Sequence, residues 1–267
     1  MATKSKLGQN FLRDPQAIQR IAASLGDLSS RTVIEIGPGK GAITELLATR
    51  AKHLILIELD RELAWNLQER FSPEKGFSNV TVCRQDVLTY DFSVAGKEAG
   101  ESLLVIGNLP YYITSPILLH LAANAASLDR AVLMVQREVS DRVTAKPGSR
   151  DYGLLTLTLQ LYGSTEPLFT LPPEAFTPPP EVHSTVFRWN FAPRFAELGV
   201  DEAPFIAFLK QSFAQKRKTL SNNLRAAGQS TNSVAEALAT AGIQPQIRAE
   251  ALSLEQLAAL WRSLSHQ

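Results

Sequence analysis

The segment with the clearest chemical potential is Asn108-Leu109-Pro110-Tyr111, which follows the apolar run 103–107. At the end of a buried strand, such residues place a side-chain amide, a backbone carbonyl and an aromatic ring around one point. The Asn108 amide oxygen and the Leu109 carbonyl can each accept one N–H of a primary amine on a planar ring, while Tyr111 stacks on that ring. The lone pair of such an amine is delocalised, and two acceptors that draw its hydrogens out of the ring plane localise the pair toward an electrophile. The same residues also suit an Asx-type turn with Tyr111 in the core.

A glycine-rich turn lies earlier in the chain. The strand-like run 33–36 leads into Gly-Pro-Gly-Lys-Gly at 37–41, where glycines permit a tight turn and close approach of the backbone to a ligand. Glu58 ends the next apolar run, where a carboxylate can hold both hydroxyls of a ribose. The turn also satisfies the dinucleotide-binding pattern G-x-G-x-x-G/A. However, its proline and third glycine make a wider turn than a pyrophosphate site requires, and Glu35 would place a negative charge near the phosphates. S-adenosylmethionine, with an ammonium, a sulfonium, a ribose and no phosphate, fits better; a plain strand-to-helix turn is the simpler alternative.

A third acidic residue, Asp86, follows the apolar run 80–84. It can accept a hydrogen bond from the exocyclic amine of the cofactor's adenine, with Val87 packing on the ring. Alone, an aspartate here is more simply a loop or helix cap. With Glu58 one strand away, the cofactor interpretation is favoured.

Composition narrows the class of protein. The 267 residues, 45% apolar and 20% charged, suit a soluble globular chain with one large domain or one large and one smaller domain. The first ten residues lack the apolar region of a signal peptide, and no run is long enough to span a bilayer, so no membrane segment is expected. Cys83 is the single cysteine, which excludes an intrachain disulfide and is typical of a reducing cytoplasm. The four histidines have no metal-ligand spacing, and we expect no metal.

Strand-like and helix-like segments alternate over the first two-thirds of the chain, which predicts an α/β domain with a parallel sheet buried on both faces. The predicted strands are 32–36, 53–59, 80–84, 103–107, 131–136, 154–161 and 184–189. The last two flank a proline-rich segment, 166–182, and are predicted to form an antiparallel pair at one edge. One predicted helix begins at Pro15 and is ended by Gly26, and the others cover 42–50, 61–71, 203–214, 234–241 and 254–264. We therefore expect a catalytic domain over 1–192 and a helical C-terminal domain over 193–267.

Six motifs, in the same order, resemble the ribosomal RNA adenine dimethyltransferases. They are 7–12 (Leu-Gly-Gln-Asn-Phe-Leu), 33–41, Glu58, Gln85-Asp86, 108–111 and 176–182 (Phe-Thr-Pro-Pro-Pro-Glu-Val), and the resemblance extends from about Lys6 to the C-terminus. It implies a class I S-adenosylmethionine-dependent methyltransferase with a Rossmann-like seven-stranded sheet and a small C-terminal all-α domain. It also implies that the enzyme dimethylates the N6 amines of two adjacent adenines near the 3′ end of 16S rRNA and releases S-adenosylhomocysteine.

The resemblance assigns roles to individual positions. Cofactor contacts fall on Gln9, Asn10, Leu12, Gly37, Gly39, Glu58, Asp86 and Asn108. The amine-binding motif falls on Asn108, Leu109, Pro110 and Tyr111, and stacking on the target base falls on Tyr111 and Phe176. Lys40-Gly41 departs from relatives with a bulkier or apolar residue, which changes the turn only locally.

RNA contact requires local positive charge, because the net charge is only +1. Lys216, Arg217, Lys218 and Arg225 form such a cluster and are predicted to bind RNA, although a charge cluster is more often a solvated face. The expected partner is 16S rRNA within an assembling small ribosomal subunit, with the enzyme monomeric and cytoplasmic. The alternatives are a non-catalytic rRNA-binding assembly factor on the same fold, a large-subunit rRNA adenine methyltransferase, and a nucleotide-dependent oxidoreductase. The last leaves the 108–111 motif and Phe176 unexplained.

Overall fold

The computed structural model describes residues 10–265. Over these residues the chain forms two compact units. The first contains the residues up to Ser140 together with Ser164–Ala192, and the second contains Asp141–Gly163 and the residues from Pro193 onward.

The first unit contains a seven-stranded sheet and a separate two-stranded ladder. The strands are β1 (Phe11–Leu12), β2 (Thr32–Ile36), β3 (His53–Glu58), β4 (Val80–Arg84), β5 (Leu103–Asn108), β6 (Leu128–Gln136), β7 (Gly163–Leu171), β8 (Phe176–Thr177) and β9 (Ser184–Phe191). The helices between them are α1 (Pro15–Ala23), α2 (Thr44–Ala48), α3 (Arg61–Arg70), α4 (Phe92–Ala99) and α5 (Thr114–Ala123).

The large sheet has the order β4-β3-β2-β5-β6-β9-β7, and β1 pairs with β8. The five strands from β4 to β6 are parallel, and β9 is antiparallel to β6. The chain moves from β2 toward one edge through β3 and β4, and then returns to the other side of β2 as β5. This reversal places a topological switch point between β2 and β5, where ligands bind in open α/β sheets.

Local sequence explains how these elements begin and how closely they pack. The side chain of Asp14 caps α1 and that of Asp60 caps α3, each by accepting hydrogen bonds from two backbone N–H groups of the first turn. All five residues of β2 are buried, as expected for a central parallel strand. Gly107 in β5 is required by the neighbouring strand, because a Cβ there would lie 2.8 Å from the carbonyl oxygen of Ile36.

The second unit is helical. Its helices are α7 (Leu154–Tyr162), α8 (Phe195–Leu198), α9 (Glu202–Ser212), α10 (Leu220–Ala226), α11 (Thr231–Thr240) and α12 (Leu254–Ser265); α6 (Arg137–Val143) contains the boundary between the units. Phe205 of α9 is fully buried, and its ring centroid lies 5.9 Å from that of Phe208 and 5.8 Å from that of Trp261. The unit therefore has an aromatic core of its own.

The predicted strand at 154–161 is wrong, because this segment is the helix α7. Leucines alternate with polar residues there, which suggests a strand, but short apolar runs do not distinguish a strand from a buried helix. Thr156 illustrates why the alternation misleads: its side chain is buried and donates to the Arg142 carbonyl at 2.6 Å. The strand beside β9 is instead β7, which carries Pro167 and lies at the sheet edge, where proline is tolerated.

The sequence prediction did not include α6, α8 or α10, nor two helices of the first unit, α4 and α5. Both follow strands of the parallel sheet, where crossover helices are required by topology. Among residues 10–265, no helix is long and apolar enough to cross a membrane.

Candidate functional site

A cavity of about 410 Å³ lies at the carboxyl ends of the parallel strands, within the first unit. Its volume is in the range of small-ligand sites. The predicted site residues that line it are Asn10, Leu12, Gly37, Gly39, Glu58, Asp86, Asn108, Leu109, Pro110 and Tyr111. Gln9, the remaining predicted cofactor contact, lies outside the described residues. Residues as far apart in the chain as Asn10 and Tyr111 thus surround one volume.

The glycine-rich turn after β2 forms one wall of the cavity. Gly37 and Gly39 have φ values of 63° and 58°, which L side chains rarely adopt. A Cβ on Gly39 would also lie 3.1 Å from the ring of Phe11. The turn therefore needs glycine for its conformation, and at Gly39 also for space.

Glu58, at the end of β3, is bound to the same turn. One carboxylate oxygen accepts from the Gly39 N–H at 3.0 Å, and the other accepts from the Asp60 N–H at 2.9 Å. Burial raises the pKa of Glu58, and these two backbone hydrogen bonds oppose the rise. Each oxygen retains a second lone pair, so the carboxylate can still accept from two hydroxyls of a ligand.

Glu35, in the middle of the apolar strand β2, is a second buried carboxylate in the cavity wall. The Thr44 hydroxyl donates to it at 2.7 Å. Burial raises the pKa of Glu35 to about 7, the Thr44 hydrogen bond lowers it, and the charge of Glu58 raises it. Two acidic groups of raised pKa therefore face one cavity, an environment that favours a cationic ligand.

Asp86 caps a short turn of the backbone and also lines the cavity. Its carboxylate accepts from the Leu88 N–H at 2.9 Å and starts a short 3₁₀ turn over Val87–Thr89. The capping interpretation and the ligand interpretation are therefore compatible, because the second carboxylate oxygen is not needed for the cap.

Asn108 is the last residue of β5, and its amide is oriented by the chain. Its Nδ2 donates to the carbonyl oxygen of Asn10 at 3.0 Å. A backbone carbonyl only accepts, so the atom that contacts it is the nitrogen, and Oδ1 remains an acceptor. No donor among residues 10–265 is bonded to Oδ1. The next residue is fixed as well, because the Leu109 N–H donates to the Met134 carbonyl at 3.0 Å.

Tyr111 begins the 3₁₀ turn Tyr111–Ile113, and its ring is half-buried at the cavity. Its hydroxyl lies 2.9 Å from Oγ of Ser184, the first residue of β9. Burial raises the pKa of the Tyr111 phenol. Both ends of this residue are thus held, the backbone by the turn and the hydroxyl by a distant strand.

Phe176 does not occupy the position expected for a base-stacking residue. Its side chain is 1% exposed and belongs to the apolar core with Leu12, its partner in the β1–β8 ladder. The neighbouring Thr177 lines the cavity instead. In this conformation the Phe176 ring is not available to a base, because the ladder that carries it also closes the core.

Sequence reasoning missed two aromatic residues of the cavity wall. Phe11 lies beside Gly39, with the Lys40 ammonium 4.7 Å from its ring centroid, and Tyr112 is 60% exposed. Both are direct neighbours of predicted residues in the chain. The sequence signal for Phe11 was its place in the 7–12 motif, and the signal for Tyr112 was its place directly after Tyr111.

The predicted RNA-contact residues lie in the second unit. Lys216, Arg217 and Lys218 occupy an exposed turn between α9 and α10, and none has an ion pair with another described residue. Buried Asn223 fixes this turn, because its Nδ2 donates to the carbonyl of Ser212 at 2.7 Å. Arg225 is exposed on α10, and its guanidinium donates to Asn222.

Residues 10–265 contain no group of three or more His, Cys, Asp and Glu side chains placed to hold a metal ion. The polar side chains of the cavity wall are carboxylates, amides, two cations and hydroxyls: Glu35, Glu58, Asp86, Asn10, Gln85, Asn108, Arg13, Lys40, Tyr111, Tyr112 and Thr177. Such a set can bind a cationic nucleoside and hold an amine.

Known proteins resemble this chain over its whole length. The sequence model of the ribosomal RNA adenine dimethylase family matches residues 1–266. Ribosomal RNA small subunit methyltransferase A of Acidobacterium capsulatum is 60% identical over 98% of this chain and 91% of its own. The structure of a dimethyladenosine transferase from Plasmodium falciparum superposes with a TM-score of 0.79 at 23% identity, over 94% of this chain and 95% of that one. The 23S rRNA methyltransferase ErmE gives 0.73 at 26% identity, over 96% and 100%.

Proposed function

The chain belongs to the ribosomal RNA adenine dimethylase family, and we propose that it transfers methyl groups from S-adenosylmethionine to the N6 amines of two adjacent adenines near the 3′ end of 16S rRNA. The observation that carries this proposal is the arrangement at Asn108. Its amide nitrogen is bonded to the Asn10 carbonyl, so an acceptor oxygen remains at the wall of a cavity that also contains Glu35 and Glu58.

The residues of the cavity fit S-adenosylmethionine, which supplies an electrophilic methyl group on a sulfonium. Glu58 can accept from both ribose hydroxyls, since each of its oxygens has one lone pair beyond the backbone hydrogen bonds. Glu35 supplies negative charge for the positive groups, and Asp86 supplies an acceptor for the adenine amine. Asn10, Leu12, Gly37 and Gly39 complete the wall.

At the target amine, the chain's own residues position and polarise rather than exchange protons. The Asn108 Oδ1 and the Leu109 carbonyl each accept one N–H, Pro110 fixes the turn that follows, and Tyr111 stacks on the adenine. The nitrogen lone pair then points at the methyl carbon. Bound S-adenosylmethionine would supply the electrophilic methyl carbon: an N–C bond would form as the C–S bond broke, S-adenosylhomocysteine would be released, and the extra proton would leave the product amine for solvent. Positioning supplies the rate enhancement.

RNA binding is proposed to involve both parts of the chain. Residues 1–192 would act as the catalytic domain and 193–267 as a helical domain that contacts RNA. The exposed turn with Lys216, Arg217 and Lys218, together with Arg225, supports this role because its charges are free to pair with phosphates. We place the reaction on rRNA within an assembling small subunit, with a monomeric enzyme in the cytoplasm.

Three alternatives receive less support. A large-subunit rRNA methyltransferase is disfavoured because the small-subunit relative is 60% identical, whereas ErmE is 26% identical. A non-catalytic assembly factor would not need the oriented Asn108 amide next to two buried carboxylates. A nucleotide-dependent oxidoreductase is disfavoured because the acidic side chains Glu35 and Glu58 in the cavity wall would repel a pyrophosphate.

The decisive variant is Asn108→Ala. It should leave RNA binding largely intact and remove most methyl transfer, because the acceptor that localises the lone pair is lost. Mass spectrometry of nuclease-digested RNA measures the product, with labelled cofactor and under-methylated small subunits as substrate. Wild-type enzyme should accumulate dimethyladenosine, with monomethyladenosine as an intermediate.

Asn79→Ala is a matched control. This asparagine also donates from Nδ2 to backbone carbonyls, those of Ala48 and Ala51, but it does not line the cavity. Asn79→Ala should lower the stability of the fold and leave the methylated products the same as those of the wild type. Wild-type methylation at a ring nitrogen or on ribose, or full activity in folded Asn108→Ala, would refute the proposed role of the 108–111 motif.

A further inference from the structure

Ser184 is a buried polar residue to which no catalytic or binding role has been assigned above. It starts β9, its side chain is fully buried, and its partner in the β6–β9 register is Gln136. Its hydroxyl lies 2.9 Å from the Tyr111 hydroxyl, 73 positions away in the chain. A residue fixed in a central ladder therefore holds the tip of the ring that faces the cavity.

From this contact we infer that Ser184 is a positioning residue that sets the orientation of the Tyr111 ring and thereby favours the second methylation over release of the monomethylated base. The inference rests on the proposed function, in which Tyr111 stacks on the target adenine. The backbone of Tyr111 is fixed by the turn, since the Ile113 N–H donates to the Pro110 carbonyl at 3.2 Å. The remaining freedom is rotation of the side chain, and the Ser184 hydroxyl restricts it.

The second transfer depends on orientation more than the first. An unmodified amine has two N–H groups, and both acceptors, Asn108 Oδ1 and the Leu109 carbonyl, can hold it. A monomethylated amine has only one N–H, and its methyl group occupies the position of the second hydrogen. Only one hydrogen bond then aligns the lone pair, so the stacked ring supplies a larger share of the alignment. A ring that is free to tilt should slow the second step more than the first.

Ser184→Ala tests the inference because it removes one oxygen from a buried site and leaves the strand intact. We expect the rate of the first methylation to fall by less than about threefold and that of the second to fall by about three- to tenfold, the range for loss of one hydrogen bond. Monomethyladenosine should accumulate, and the ratio of dimethyl to monomethyl product should fall. Ser184→Cys, which keeps a weak donor of similar size, should give an intermediate ratio.

Thr185→Val is the matched structural control. Thr185 follows Ser184 on β9, is 4% exposed, and its hydroxyl lies 3.0 Å from that of Thr170 rather than near Tyr111. This variant also loses a buried hydroxyl hydrogen bond from the same strand. It should lower thermal stability and leave the product ratio unchanged.

A double-mutant cycle with Tyr111→Phe separates the inference from the proposed function. Tyr111→Phe keeps the stacking ring, so it should stay active but show the same altered ratio, and adding Ser184→Ala should change nothing further. The positioning role is wrong if Ser184→Ala lowers the dimethyl-to-monomethyl ratio equally in the wild type and in Tyr111→Phe. It is also wrong if Ser184→Ala leaves that ratio unchanged while Tyr111→Ala abolishes methyl transfer. In either case the proposed function stands. If Tyr111→Ala retains full activity, the proposed function itself fails.

Discussion

Glu35 should make the stability of the ligand-free protein depend on pH. Its side chain is 2% exposed, and its pKa is raised to about 7, chiefly by burial, with the Thr44 hydroxyl opposing the rise and Glu58 adding to it. In the unfolded chain this carboxyl ionises near 4.5. Between these values the folded state binds more protons than the unfolded state, so stability falls as pH rises and levels off above about 7.

The size of this effect follows from the two pKa values. At about 1.4 kcal/mol per pKa unit, the interval from 4.5 to about 7 corresponds to roughly 3 kcal/mol of unfolding free energy. Glu35→Gln has nearly the same shape and cannot ionise. It should therefore gain on the wild type as pH rises, and the two should differ least at acidic pH.

The assay is urea unfolding of both proteins without cofactor, at several values between about pH 5 and pH 8. The difference in unfolding free energy between wild type and Glu35→Gln isolates this carboxyl from other titrating groups. Thr44→Val is a second arm: it removes the donor that stabilises the ionised form, so the midpoint of the pH dependence should move upward. A difference that is constant across this pH range would refute the reasoning.

The same ionisation should couple to cofactor binding. A cationic ligand favours the carboxylate, so affinity for S-adenosylmethionine should increase with pH up to about 7. At a pH below this value, binding should release a proton from the wild type and not from Glu35→Gln. Calorimetry in two buffers of different ionisation enthalpy measures that proton.

Three further variants test the site and its surroundings. Glu58→Ala should weaken cofactor binding about 10- to 150-fold without unfolding the protein, as expected for roughly 1.5–3 kcal/mol of charge-assisted hydrogen bonding, and unchanged affinity by calorimetric titration would contradict it. Replacing Lys216, Arg217 and Lys218 with Ala should reduce the slope of log RNA affinity against log salt concentration and leave cofactor affinity unchanged. An unchanged slope would show that these three side chains form a solvated face that does not bind RNA. Phe176→Ala should cost about 3–5 kcal/mol of unfolding free energy, as for a buried ring, whereas reduced RNA affinity at full stability would restore a stacking role.

The sequence was sufficient for the parallel half of the sheet and for the identity of the family. The strands at 32–36 and 80–84 have the predicted bounds, because continuous apolar and β-branched runs between polar segments leave few alternatives. The predicted family, fold class and enzyme class are confirmed by the full-length family match and the superposed structures. Short motifs at strand ends carry this information, since the chemistry requires particular residue types at positions that the topology brings together.

Tertiary structure decided which side chains are buried, what they contact and how they ionise. The run at 154–161 alternates between leucine and polar residues like a strand, but it forms α7. Thr156 is buried together with the leucines, so the alternation does not distinguish a buried face from an exposed one. Phe176 belongs to a recognised motif and is nevertheless core. The hydrogen bond between Tyr111 and Ser184 exists only because the register of β9 against β6 brings them together. The raised pKa of Glu35 likewise depends on exclusion of water by all its neighbours, a property of the folded environment and not of any short segment.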